Sequence, residues 1–191
     1  MNSKQLFIKW CLASGLGWSA GLAVGWVLTL VGGRFFSLNE DRVFLPITLI
    51  SLGMTTGIAQ WLVLRCWFPQ AGLWIPTTFL GFLACCLVSM GWNAFGLAGQ
   101  DVGNNALLLA SQGGLIGAMQ WFLLRQHFRA AGLWVIASAL GFLWFLGLII
   151  RPAHAPVELI LRASSMAILA ALITGATLIW LRLQPVSLPT R

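Results

Sequence analysis

Two glutamines set deep in apolar sequence are the residues best placed to do chemistry in this chain. Gln60 and Gln120 each follow a glycine by three residues, Gly57 and Gly117, inside two nearly identical stretches, GIAQWLVLRCWFPQAGLW (Gly57 to Trp74) and GAMQWFLLRQHFRAAGLW (Gly117 to Trp134). An uncharged amide in hydrocarbon needs a partner, so both side chains are expected to reach a backbone carbonyl, another polar side chain or a ligand. Asn93 is a third candidate for such a polar core or ligand contact. The chemistry on offer is hydrogen bonding. His127 and His154 have no His, Asp or Cys neighbour at metal-ligand spacing. The four cysteines, Cys11, Cys66, Cys85 and Cys86, form no CxxC pair. No phosphate loop, nucleophile and base, or HExxH is present. The sequence therefore points away from an enzyme and from a metal site.

The elements that hold these amides are membrane helices. Of 191 residues, 59% are hydrophobic and 8% charged, against about a quarter charged in a soluble domain. The net charge of +7 comes from few residues at the ends of apolar runs, which suits anchoring in a bilayer and excludes a nucleic-acid partner. Apolar runs of twenty or so residues cross a hydrocarbon core of about 30 Å. Six are expected: about Leu6 to Val31, Val43 to Cys66 with Pro46 in its first turn, Gly72 to Gly96, Asn105 to His127, Ala131 to Ile150, and Val157 to Leu183. Between them lie a polar link from Gly32 to Arg42, a turn from Trp67 to Ala71, a loop from Leu97 to Asn104 and the break from Arg151 to Pro156.

The 60-residue offset between the two stretches makes this an internal repeat. Lys9 precedes Trp18 by nine residues, as Arg65 precedes Trp74 and Arg125 precedes Trp134, and Gly25, Gly81 and Gly141 follow those tryptophans by seven. This spacing places the first helix in the same pattern. The expected fold is an all-α integral membrane protein of six transmembrane helices, arranged as three parallel two-helix repeats with pseudo-threefold symmetry about the membrane normal. The repeats cover residues 1–66, 67–127 and a degenerate 128–183, with a tail over 184–191. In the third repeat Leu178-Ile179 stand where the others have Gln-Trp.

Small residues recur on one face of each helix: Gly21 and Gly25, Gly53 and Gly57, Gly81, Gly113 and Gly117, Gly141, and Gly175. In lipid such positions let helix backbones approach closely, and a ligand pressed against them is the alternative. Lys9, Trp18, Trp61, Arg65, Trp74, Trp121, Arg125, Trp134 and Trp180 are expected as interface anchors at cytoplasmic helix ends. Trp26, Trp92 and Trp144 lie further along the odd helices, for packing or for lining a pocket. Glu158 and Arg162 are spaced for an i,i+4 pair. The N-terminus, the turns after helices two and four and the C-terminus carry seven basic residues and no acidic one. Both termini are therefore expected on the cytoplasmic side.

The motif GxxQWxxLRxxFxxAGLW, followed by small residues and Gly-Phe, resembles that of a group of uncharacterised bacterial multi-pass membrane proteins of cyanobacterial type, closely over Gly57 to Phe82 and Gly117 to Phe142. The resemblance implies a bacterial inner membrane or a thylakoid membrane. The group has no agreed activity, so no functional residue is transferred. The leading expectation is a non-enzymatic scaffold or accessory subunit that packs lipids, pigments such as a carotenoid or chlorophyll, or other membrane subunits. The alternative is a small transporter or channel with a site on the pseudo-threefold axis near Gln60 and Gln120.

Overall fold

The computed structural model describes residues 2–36, 40–66, 69–97, 101–151 and 155–184. Its regular elements are helices throughout: α1 (Ser3–Phe36), α2 (Glu40–Leu64), a 3-10 turn (Ala71–Leu73), α3 (Trp74–Ala94), α4 (Val102–Leu124), α5 (Gly132–Phe142), a second 3-10 turn (Leu143–Phe145), α6 (Leu146–Ile150) and α7 (Pro156–Arg182). Five of them, α1 to α4 and α7, are long and apolar enough to cross a membrane. The chain is an all-α, multi-pass membrane protein.

Boundaries differ from the sequence reading in three places. The helix α1 does not stop at Val31 but continues through Gly32 and Gly33 to Phe36, with Arg34 in its last turn, where a cation suits the helix dipole. At 34 residues it is roughly 50 Å long and overshoots a 30 Å hydrocarbon core. The helix α2 begins at Glu40, so Pro46 lies inside it and not in its first turn. The run expected as one fifth helix is broken by the turn at Leu143–Phe145. In a 3-10 turn side chains three apart eclipse, and Phe142 and Phe145 use this to bring both rings against Trp18, at 5.9 and 4.3 Å. The centre of the expected 32–42 link, most of the 184–191 tail and His154 lie outside the described residues.

Neighbouring segments pack antiparallel around a closed circle: α1 with α2, α2 with α3, α3 with α4, α4 with α5, α5 with α7, and α7 back on α1. The glycines fix these approaches. In α1, a Cβ added at Gly17 would lie 2.8 Å from Cα of Thr56, at Gly21 2.8 Å from Cα of Leu52, and at Gly25 2.8 Å from Cα of Thr48. Three glycines stepping up α1 thus meet three residues stepping down α2. Gly81 meets Cα of Ile116 at 2.8 Å in the same way, and Gly141 meets Cβ of Ala170 at 3.2 Å. In α2, α4 and α7 the glycines face the next helix around the circle. Gly53 meets Phe82, Gly57 meets Ile75, Gly113 and Gly117 meet Ser138, and Gly175 meets the rings of Phe7 and Trp10. A methyl group at most of these points would push backbones apart, which is how small residues gain dispersion contact in lipid.

Two apolar layers form the interior. One gathers Leu6, Trp10, Leu64, Trp74, Leu124, Trp134 and Leu178, the other Leu22, Leu52, Phe82, Cys85, Ile116, Phe145 and Ala167.

Candidate functional site

The axis of the circle is filled first by three indoles. Trp10, Trp74 and Trp134 meet edge to face, with ring centroids 5.9, 5.7 and 5.7 Å apart, and each is at most 1% exposed. A buried indole must place its N–H, and all three do so on the helix that precedes them around the circle. Trp74 Nε1 donates to Oε1 of Gln60 at 2.9 Å, and Trp134 Nε1 donates to Oε1 of Gln120 at 2.8 Å. Trp10 Nε1 donates to Oγ1 of Thr174 at 3.1 Å. The amides then pass the hydrogen bonding on, Gln60 Nε2 to Ser14 Oγ at 3.1 Å and Gln120 Nε2 to Thr78 Oγ1 at 2.9 Å.

Each tryptophan is followed by the same sequence of roles. Four residues on stands a buried hydroxyl: Ser14, Thr78 and Ser138. Eight residues on stands a second aromatic ring: Trp18, Phe82 and Phe142, with centroids 5.9, 5.9 and 6.4 Å apart. Between the two aromatic layers lies a cavity of about 60 Å³, lined by Ser14, Thr56, Gln60, Thr78, Gln120, Ser138 and Thr174 among smaller and apolar groups, with no charged side chain. Most helix hydroxyls here bond to a carbonyl of the preceding turn, as Thr29, Thr55, Ser89 and Thr174 do. Thr56, 3% exposed, does not, and its Oγ1 has no hydrogen-bond partner.

The structure joins Gln60 and Gln120 in one axial polar layer and leaves Asn93 out. That side chain is exposed in the last turn of α3, where the backbone carbonyl of the same residue accepts the Gly96 N–H. Trp74 and Trp134 are corrected from interface anchors to core: with the N–H satisfied by an internal amide, nothing draws the ring to the headgroups. Trp18 is likewise half-buried against Phe145 and not an outer anchor. The residue of α1 that corresponds to Trp74 and Trp134 is Trp10, and the glycine that corresponds to Gly81 and Gly141 is Gly17. In α7 the position matching Gln60 and Gln120 is Thr174, and Ala171 takes the place of Gly57 and Gly117, one turn before Gly175.

Lys9, Trp61, Trp121, Arg65, Arg125 and Trp180 lie outside this core. The guanidinium of Arg65 sits 5.4 Å from the Trp61 ring centroid, and that of Arg125 sits 4.9 Å from Trp121 and 5.0 Å from Phe122, a cation–π arrangement. Trp26 and Trp144 are on the outer surface, 39% and 50% exposed. Glu158 and Arg162 form the expected pair, at 2.6 Å.

Sequence reasoning missed the hydroxyl layer, although its signal is present. Trp-x-x-x-Ser/Thr occurs at Trp10-Ser14, Trp74-Thr78 and Trp134-Ser138. Compared with protein families, curated proteins and solved structures, the chain shows no match.

Proposed function

We propose that this chain is a non-enzymatic membrane packing module, a scaffold or accessory subunit, built as six crossings in three parallel hairpins around a pseudo-threefold axis. The closed antiparallel circle supports six crossings, with α5, its 3-10 turn and α6 stacked as one. Those three pieces of eleven, three and five residues add up to roughly 28–30 Å, enough for the hydrocarbon core. The recurrence of tryptophan, hydroxyl and second aromatic at the same spacing on α1, α3 and α5 supports the threefold arrangement. The basic N-terminus and basic turns after α2 and α4 support cytoplasmic termini, and the resemblance of the repeat supports a bacterial inner or thylakoid membrane.

The observation that carries the packing reading is the Trp10–Trp74–Trp134 triangle. Rings in mutual edge-to-face contact leave no passage at their centre, and the amides beside them are engaged with protein partners. Outside, apolar grooves of about 280 Å³ between α1 and α2 and about 480 Å³ between α5 and α7 offer surfaces for lipid tails or partner helices.

Proteoliposomes test this. The packing reading expects no flux of ions, water or small solutes above that of empty liposomes, together with lipid or a partner subunit retained in native mass spectra. Flux that disappears in a Gln60→Leu, Gln120→Leu double variant would establish the transporter or channel reading instead.

A further inference from the structure

The axial cavity has the wrong chemistry to be dry and the wrong charge to hold an ion. Ser14 and Thr78 accept from Gln60 and Gln120, which leaves their own O–H hydrogens to be donated. Each glutamine amide has a second N–H. Thr56 Oγ1 is buried with neither donor nor acceptor. These groups line one space, and an unsatisfied hydroxyl in a membrane interior is costly. An anion would suit the donors, but a bare charge in low dielectric with no charged lining group costs far more than the hydrogen bonds return. The occupant is therefore neutral and both donor and acceptor. A volume of about 60 Å³ excludes pigments, quinones and acyl chains, and is enough for a small cluster of waters, each of which needs about 10–15 Å³ of such space.

We propose that the axial cavity between the two aromatic layers is a hydration site, holding a small cluster of water that bridges Thr56, Ser14 and Thr78. The water completes the hydrogen bonding of the two glutamine and tryptophan pairs and stands in for a longer side chain at Thr174, whose hydroxyl donates back to its own helix at Ala170 where Gln60 donates across to Ser14. The proposal rests on the geometry of the cavity and not on the packing reading, since a plugged axis and a conducting one could each hold water there.

Two measurements decide it. A structure in lipid at a resolution that resolves ordered water should show compact peaks within hydrogen-bond distance of Thr56 Oγ1 and of Ser14 Oγ or Thr78 Oγ1. An empty cavity, or one continuous elongated density, would overturn the proposal. Thr56→Val keeps the shape and removes the hydroxyl. If water bonds that hydroxyl, the melting midpoint falls, by about 2–4 °C on the usual scale for a chain of this size. If the hydroxyl is unsatisfied in a dry cavity, the midpoint rises, and a rise or an unchanged midpoint counts against water.

Discussion

Trp10 and Thr174 lie 164 positions apart and are joined by a hydrogen bond of 3.1 Å from the indole Nε1 to the threonine Oγ1. This bond closes the circle, because it ties the first helix to the last by the same kind of contact that Gln60 makes with Trp74 and Gln120 with Trp134. It differs in one respect. Thr174 Oγ1 also donates to the carbonyl of Ala170 at 3.2 Å, so the threonine keeps a partner if the indole is lost, whereas Oε1 of either glutamine loses the donor it was aimed at.

The three bonds should therefore rank by what their loss strands. Trp74→Phe and Trp134→Phe keep an aromatic ring and leave a buried amide oxygen without its donor, at about 1–3 kcal/mol beyond the change in ring size. Trp10→Phe removes a bond from a hydroxyl that stays engaged, at about 0.5–1.5 kcal/mol. Reversible unfolding in mixed micelles measures all three, and a larger loss for Trp10→Phe than for the other two would contradict the ranking.

Coupling between the partners gives a second expectation. Gln120→Leu and Trp134→Phe each break the 2.8 Å bond, so the double variant should cost less than the sum of the singles. The shortfall expected for residues in direct contact is about 0.5–3 kcal/mol. Strict additivity in the double-mutant cycle would mean that the bond contributes nothing.

How much of this was legible follows from helix geometry. The even helices were readable because Gly, three residues, Gly, two residues, Gln repeats at a fixed offset in α2 and α4. The odd helices misled. Trp10 and Trp18 are eight residues apart, a little over two turns, so both lie on one stripe and both face the axis. The cation-to-tryptophan spacing selected Trp18, which belongs to the second aromatic layer. Only the three-dimensional contacts separate them. The shift from Ala171 to Gly175 has the same cause, one turn along a single face. The burial of Trp74 and Trp134 was not legible from composition, because tryptophan near a helix end is ordinarily a headgroup residue; the deciding fact is an acceptor fourteen residues earlier on another helix. The 3-10 break at Leu143–Phe145 had no proline or glycine inside it to announce it.

Glycine positions separate contact from propensity. Gly17→Ala would place a methyl 2.8 Å from the backbone of Thr56, a clash that neither helix can relieve by a rotamer change, and overpacking of this kind costs about 1–3 kcal/mol. Gly114→Ala in α4 meets nothing within 4 Å and should stabilise by about 0.4–1 kcal/mol through the chain entropy that glycine loses on folding. The pair makes a controlled comparison, since both are the same substitution inside a helix. Equal effects, measured by thermal unfolding, would remove the close-approach account of the α1–α2 contact.

Orientation can be read from one thiol. Among the cysteines Cys66 is exposed, while Cys11, Cys85 and Cys86 are buried, so a membrane-impermeant maleimide has a single accessible target. Cys66 directly follows Arg65, whose guanidinium lies 5.4 Å from the Trp61 ring, and in the proposed orientation this one basic residue just past the end of α2 keeps the turn on the cytoplasmic side. Intact cells should leave Cys66 unlabelled, and inverted vesicles should label it, with labelling abolished in Cys66→Ser. Labelling of Cys66 in intact cells would place this end of α2 outside. The basic turn at Arg125 would follow it there, because α3 and α4 together return the chain to the same face.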